Sequence, residues 1–203
     1  MKSNASALRH SSAADETAWH YSRLAIVLHW AVALILVAMA ALGWFMMTIE
    51  NDPGSVWYFY LHKSFGLVFA TLVAVRLVWR LSHRVKALPT KLPAWQVKLA
   101  NWTQFLLYVL MVLMPVTGYL GASYSKNGVQ FFGINTPHWA LPNHDLAEQF
   151  YGIHSVLVWV LTALVVLHVA GGLKHLLVDK DAIFQRMWFS PTRDQEQNAK
   201  QKR

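Results

Sequence analysis

Four long apolar stretches limit what this chain can fold into. They cover residues 24–49, 56–79, 99–125 and 149–173. Lys63 and Arg76, both in the second stretch, are their only Asp, Glu, Lys or Arg residues. A helix of about 20 apolar residues crosses a hydrocarbon core of about 30 Å, so each stretch is long enough to span a bilayer. Charged residues make up 14% of the chain, against about 25% in a typical soluble domain. The sequence therefore predicts an all-α membrane protein with a bundle of four transmembrane helices.

Basic residues are distributed unevenly over the segments that flank these stretches. Fifteen Lys and Arg residues lie in residues 1–23, 80–98 and 174–203, whereas one lies in residues 126–148. By the positive-inside rule, the three basic segments face the cytoplasm. This predicts a multi-pass protein with both termini in the cytoplasm. The net charge of +8 is then a topology signal, and we expect the lipid bilayer rather than a nucleic acid as the partner.

The amino-acid composition of the two termini and of the loop between the third and fourth stretches predicts the domain boundaries. Residues 1–19 and 191–203 are polar and poor in bulky apolar side chains, which predicts disordered cytoplasmic segments. A single transmembrane domain is expected over residues 20–190. Residues 126–148 are rich in aromatic residues and proline, so we expect them to fold over the outer end of the bundle. The absence of cysteine excludes disulfides, thiolate zinc sites, iron–sulfur clusters and covalently attached haem.

Four histidines lie inside the apolar stretches, where ionisable residues are costly and are functional candidates by default. His154 and His168 are 14 residues apart on the fourth helix, which separates them by about 21 Å along its axis. The same interval leaves them only about 40° apart around the helix, on one face. His29 lies near the inner end of the first helix and His62 near the outer end of the second. The depths therefore pair His29 with His168 and His62 with His154.

Two histidines at one depth on different helices can bind one haem iron from both sides. Such ligation leaves no open position on the iron and favours electron transfer over oxygen binding. Zinc sites take four protein ligands, or three and a water, so levels of two histidines do not fit zinc. We expect two haems b in the bundle interior, with irons about 20 Å apart. The alternative of another class is a histidine-based proton or solute transporter, which predicts no haem.

Five short motifs occur in order and at matching depths along residues 20–190. They are YSRL at 21–24, LHW at 28–30, LHKSFG at 61–66, RLVWR at 76–80 and MPVTG at 114–118. Through these motifs and the spacing of His154 and His168, the chain resembles the bacterial cytochrome b561 family of dihaem inner-membrane proteins. The resemblance implies electron transport in the respiratory chain, haem iron bound by the four histidines, and a location in the bacterial inner membrane.

The resemblance also implies a reaction. One member of the family's stand-alone branch is a superoxide oxidase, which takes electrons from superoxide and reduces ubiquinone. The match in the first helix implies the same activity at the periplasmic side. Whether the chain is an enzyme stays open in the sequence. A non-enzymatic cytochrome b relay between membrane quinol and a periplasmic redox partner is the alternative.

Arg76 is 14 residues after His62, which places it about 21 Å deeper, at the inner level. Since no stretch contains a carboxylate, a propionate of the inner haem is its expected partner. The alternative is an arginine whose head snorkels to the lipid interface.

Lys63 and His175 are the candidate catalytic residues. Lys63 follows His62 near the outer end, where it could bind an outer propionate or attract superoxide. His175 lies seven residues after His168, at the cytoplasmic interface, where it could contact a quinone or supply its protons. A snorkelling lysine and an ordinary interfacial histidine are the alternatives.

The remaining residues receive simpler roles. The third helix has no histidine and is assigned to packing. Gly66 and Gly118 allow a porphyrin or another helix to approach closely, and helix packing alone explains them equally well. His83 is expected to be uninvolved, and His138 and His144 are expected to be surface histidines. The alternative for His138 and His144 is that they cover the outer haem or help to capture a substrate.

Overall fold

Four long helices form most of the computed structural model, which describes residues 21–83, 92–137, 139–181 and 183–188. They are α1 (Arg23–Thr48), α2 (Val56–Ser82), α3 (Ala94–Tyr124) and α4 (His144–Lys174). Each is long and apolar enough to cross a membrane, so the predicted four-helix membrane fold is confirmed. The helices extend beyond the apolar stretches, most clearly at the starts of α3 and α4. Backbone hydrogen bonds continue the helix into polar segments that need not be buried in lipid. Because hydropathy detects only the apolar part, it underestimates the length of the helix.

Capping side chains determine where two of the helices begin. Ser22 Oγ accepts a hydrogen bond from the Ala25 amide at 3.3 Å and caps α1. Asn143 Oδ1 accepts one from the Leu146 amide at 3.1 Å and caps α4. Both residues satisfy amide groups that the first turn of a helix leaves without a partner.

The helices run alternately up and down, so the bundle has two ends. We call the end with the starts of α1 and α3 and the ends of α2 and α4 the inner end, after the orientation that the charges predict. The opposite end is called the outer end. A buried cluster at the centre draws side chains from all four helices: Val32, Phe69, Val73, Leu107, Leu110, Met111, Met114 and Leu161. Many other large apolar side chains of the helices are exposed on the outside of the bundle. This arrangement suits a protein surrounded by lipid, in which apolar surface need not be hidden.

The segment between α3 and α4 packs against the outer end of α2. It contains a two-stranded hairpin of β1 (Gln130–Phe131) and β2 (Ile134–Asn135). Its turn residues Phe132 and Gly133 both have positive φ angles, 46° and 87°, as a two-residue hairpin turn of this kind requires. The Phe132 amide donates to Ser64 Oγ at 2.9 Å, and the hairpin thereby covers this end of α2.

Beyond α4 the chain crosses back to α1 at the inner end. A π-helical turn spans His175–Asp179, and a 3₁₀ helix follows at Phe184–Met187. The Trp30 indole N–H donates to the Met187 carbonyl at 2.9 Å. The residues after α4 therefore link the two helices that carry His168 and His29. The predicted disordered ends and His138 lie outside the described residues.

Candidate functional site

The bundle brings the four histidines of the apolar stretches together in two pairs. The ring centres of His29 on α1 and His168 on α4 are 6.2 Å apart, with their planes at 65°. Those of His62 on α2 and His154 on α4 are 6.3 Å apart, with their planes at 83°. These are the two pairings that the depths in the sequence predict.

The separation of the rings fits a metal ion bound between them. A metal-bound imidazole nitrogen lies about 2 Å from the metal, so two imidazoles on opposite sides of one ion have ring centres roughly 6 Å apart. Both pairs show this separation. Each histidine comes from a different helix than its partner, as a haem between two helices requires. The residues therefore fit one bis-histidine haem at each level, although their assignment as ligands stays a prediction.

His154 is held in the orientation and tautomer that a metal ligand needs. Its Nδ1 lies 3.0 Å from the Met114 carbonyl and 3.3 Å from Thr117 Oγ1. A carbonyl oxygen can only accept, so Nδ1 carries the proton and Nε2 keeps its lone pair. Metal-binding histidines usually donate their other ring N–H to such a partner. Helix α3 thus positions a candidate ligand, in addition to the packing role that the sequence assigns to it.

Two glycines make room for the outer pair. A Cβ atom at Gly118 would lie 3.0 Å from His154 Cε1, and one at Gly43 would lie 3.2 Å from His62 Cε1. A Cβ at Gly66 would meet only the Met39 methyl group, at 3.8 Å. Gly118 and Gly43 therefore admit the imidazole rings, whereas Gly66 does not contact either pair.

Sequence reasoning missed Gly43, although a signal was present. Gly43 is 14 residues after His29, the interval that separates the two histidines of α4. The same interval on α1 places Gly43 on the histidine face at the outer level.

His62 has a buried ring nitrogen that lacks a protein partner. Its Nδ1 is shielded from solvent and makes no hydrogen bond within the described part of the chain. Buried polar atoms without a partner are uncommon and each one calls for an explanation. At the outer level, the ring of His62, whose Nδ1 has no hydrogen-bond partner among the described residues, therefore lies beside the ring of His154, whose Nε2 keeps its lone pair.

Arg76 points into the inner pair. Its Nη2 lies 3.1 Å from His29 Nδ1, and its Nη1 donates to the Ala25 carbonyl at 3.2 Å. The guanidinium carbon lies 5.9 Å from the ring centre of Tyr108. The ion pairs among the described residues all involve Lys174 or His175, so Arg76 has no carboxylate partner there. The guanidinium lies against the inner histidines instead of reaching out to the lipid interface.

An apolar layer separates the two histidine levels. Leu161 lies seven residues from both His154 and His168 on α4, and its side chain is buried. Phe69 takes the equivalent place on α2, midway between His62 and Arg76, and is also buried. These side chains belong to one buried apolar cluster, which lies between the two histidine levels.

The two candidate catalytic residues lie at opposite ends of the bundle. Lys63 is half-buried, and its Nζ donates to the Gly128 carbonyl at 3.0 Å. This partner is a neutral backbone group, not a carboxylate. His175 lies at the inner end, where its Nδ1 is 2.8 Å from Asp181 Oδ2. Their roles in catalysis stay predictions.

Comparison with known proteins identifies the family of this chain. Residues 20–190 match the family model described as prokaryotic cytochrome b561. The chain belongs to that family. Membership makes it a bacterial membrane electron-transfer protein that binds b-type haem.

Three relatives cover most of this cytochrome b561 chain. Cytochrome b561 homolog 2 of Escherichia coli (strain K12) is 30% identical over 172 residues, which are 82% of this chain and 90% of the relative. Cytochrome b561 homolog 1 of the same organism is 27% identical over 82% of this chain and 96% of its own length. A protein of Yersinia pestis named probable superoxide oxidase CybB is 27% identical over 82% of this chain and 94% of its own length.

Proposed function

We propose that this cytochrome b561 binds two haems b and transfers electrons from superoxide at the periplasmic side to ubiquinone near the cytoplasmic side. His29 and His168 would hold the inner haem, and His62 and His154 the outer haem. The observation that carries the proposal is the presence of two histidine pairs at axial spacing, 6.2 Å and 6.3 Å, on opposite sides of an apolar layer. The similarity to the Yersinia pestis protein supports the choice of superoxide. We also propose one domain over residues 20–190 and cytoplasmic termini, on the basis of composition and charge.

Each haem, when bound, supplies reversible one-electron transfer. The protein's part is to fix the ligands and control the surroundings. The Met114 carbonyl sets the tautomer of His154, and the buried apolar cluster that contains Leu161 and Phe69 lies between the levels. Two histidines per iron would leave no position for oxygen to bind. The site would then accept and release electrons at the haem edges.

Arg76 is proposed to bind a propionate of the inner haem. The hydrogen bond from Arg76 requires His29 Nδ1 to accept, which leaves the proton of the neutral ring on Nε2. Iron ligation through Nε2 requires the reverse, with the proton on Nδ1. With that proton in place, His29 could not accept from Arg76, and the guanidinium would be available to another acceptor. A carboxylate matches the fork of guanidinium donors well.

Replacing Arg76 by glutamine should lower the midpoint potential of the inner haem by tens of millivolts. A positive charge beside a haem disfavours the oxidised form, so losing the charge favours oxidation. Optical redox titration measures both haem potentials in one experiment. Arg76→Lys, which keeps the charge, should retain most of the wild-type potential. An unchanged potential in Arg76→Gln would place the guanidinium away from the inner haem.

Lys63 is proposed to assist superoxide capture. It lies next to His62 in the sequence, at the outer end, and its ammonium group is paired with a carbonyl instead of a carboxylate. A local positive charge attracts an anionic substrate, and this attraction weakens as salt concentration rises.

Stopped-flow absorbance with superoxide tests the proposed reaction. Mixing the oxidised protein with superoxide should produce a reduced b-haem band, and a ubiquinone analogue should then reoxidise it. Lys63→Gln should slow the superoxide-dependent step severalfold and reduce its salt dependence. Lys126→Gln, which removes the other lysine of the outer end, is the matched control and should have a smaller effect.

Two other results would change the assignment. A band that forms with dithionite but not with superoxide would favour a relay between membrane quinol and a periplasmic redox partner. A protein that shows no haem band with either reductant would contradict the use of the four histidines as ligands.

A further inference from the structure

The backbone after α4 folds so that a carboxylate returns to His175. The helix widens into the π-helical turn His175–Asp179, and Lys180 adopts a left-handed conformation with φ 51°. This reversal lets the Asp181 amide donate to the His175 carbonyl at 3.2 Å. π-Helical turns are rare and are frequently found at functional sites.

Both oxygens of the Asp181 carboxylate are engaged. Oδ2 lies 2.8 Å from His175 Nδ1, and Oδ1 accepts a hydrogen bond from the Ile183 amide at 3.0 Å. Because a carboxylate only accepts, Nδ1 carries a proton and Nε2 is the ring nitrogen that remains for a substrate.

Asp179 is a second carboxylate of the same turn, with a different partner. Its Oδ2 lies 3.3 Å from His175 Nδ1 but also forms an ion pair with Lys174. Lys174 offsets the charge of Asp179, so Asp181 is the carboxylate whose charged partner is His175 alone among these pairs.

Asp181 is more exposed to solvent than His175. The His175 side chain is 17% exposed, whereas that of Asp181 is 30% exposed. His175 lies seven residues beyond His168, which is about 10 Å along the helix and on nearly the same face. Phe184 packs against Gly172 beside this turn, and Trp30 binds the same C-terminal segment. The largely buried ring therefore lies between the inner histidine level and a carboxylate that water can reach.

We propose that Asp181 positions His175 as the proton donor to quinone at the inner end. This inference rests on the proposed function. Reduction of one quinone to quinol consumes two electrons and two protons. Two superoxide ions supply the electrons, one each, and are released as dioxygen. His175 delivers a proton from Nε2 to a quinone oxygen and regains one from the cytoplasm, so each quinol formed takes two protons from that side.

The Asp181→Asn variant tests this role when electron transfer and proton transfer are measured separately. The haems are first reduced with dithionite and freed of excess reductant. They are then reoxidised either by a ubiquinone analogue, which takes up protons, or by ferricyanide, which does not. The quinone reaction should slow by about tenfold or more, as expected when a general acid is impaired. The ferricyanide reaction should keep its wild-type rate.

Further readouts separate positioning from structural damage. Deuterated water should slow the quinone reaction of Asp181→Asn more than it slows the wild-type reaction. The reason is that proton delivery has become the rate-limiting step in the variant. Asp181→Glu, which keeps the carboxylate, should recover most of the rate. Asp179→Asn is the matched comparison and should slow the quinone reaction less than Asp181→Asn.

Several results would overturn the inference. These are equal slowing with ferricyanide and quinone, equal effects of the Asp181 and Asp179 variants, and a wild-type quinone reaction that is lost with EDTA and restored by zinc. The last would assign His175, Asp179 and Asp181, whose donor atoms lie within 4.8 Å of one another, to a metal ion. Because dithionite supplies the electrons, a failure of superoxide to reduce the haems would contradict the proposed substrate and leave this test intact.

Discussion

Replacing His168 by alanine should halve the haem content of the purified protein, with the inner haem lost and the outer haem retained. The ring of His168 lies 6.2 Å from that of His29, and a haem that loses one of two axial ligands loses much of its affinity. The two levels share helix α4 but no ligand, so the outer pair should keep its haem. The pyridine haemochrome assay measures the ratio of haem to protein directly.

Matched variants make this result specific. His62→Ala should remove the outer haem and leave the inner one, whereas His83→Ala should retain both. His83 stacks on Trp79 with ring centres 3.7 Å apart and belongs to neither pair. Added imidazole should restore part of the missing haem in His168→Ala, because it replaces the lost ligand. A His168→Ala protein with full haem content would contradict the pairing.

Adding a single methyl group at position 118 should disturb the outer haem. In Gly118→Ala the new Cβ would lie 3.0 Å from His154 Cε1 and 3.1 Å from Nδ1. The Met114 carbonyl, one turn earlier on the same helix, accepts the hydrogen bond from this ring, so the ring cannot move away from α3 without losing that bond. Overpacking of this kind costs about 1–3 kcal/mol, which is roughly a 5- to 150-fold loss of affinity. Haem titration of the apoprotein should show the loss at the outer site.

Gly66→Ala provides the control for this substitution. It makes the same chemical change within a helix, but its Cβ meets only the Met39 methyl group at an ordinary 3.8 Å. Both haems should bind it as they bind the wild type. Equal haem affinity in Gly118→Ala and Gly66→Ala would show that Gly118 serves helix packing alone.

The four helices and the two histidine pairs were predictable from the sequence, for a physical reason. A bilayer imposes a length on every apolar helix, so the position of a residue within its stretch gives its depth. Depth and the 14-residue interval on α4 were enough to pair His29 with His168 and His62 with His154. The structure places the rings of each pair next to each other. The sequence does not state which helices are neighbours, but depth alone was enough to predict the pairs.

The contacts that support His154 were harder to predict. Its hydrogen bond goes to the backbone carbonyl of Met114, and backbone groups are the same at every residue. Gly43 contributes by having no side chain, so only its spacing from His29 could have identified it. The sequence therefore indicates candidate ligands more readily than the groups that orient them.

The inner end shows a second limit. The bond between His175 and Asp181 depends on a π-helical turn and on the left-handed conformation of Lys180. No pattern of apolar residues in the sequence predicts either feature. Apolar periodicity predicts that α4 ends near residue 173, and it carries no information on how the polar residues beyond that point fold back.

Low-temperature EPR of the oxidised protein, together with its haem content, tests the central claim most directly. The account predicts two haems b per chain, both low-spin, because each iron has two imidazole ligands. The ring planes cross at 65° and 83°, so both signals should have the strong anisotropy of steeply crossed axial imidazoles. A single haem per chain, or a high-spin signal from an iron with an open position, would contradict the assignment of the two histidine pairs.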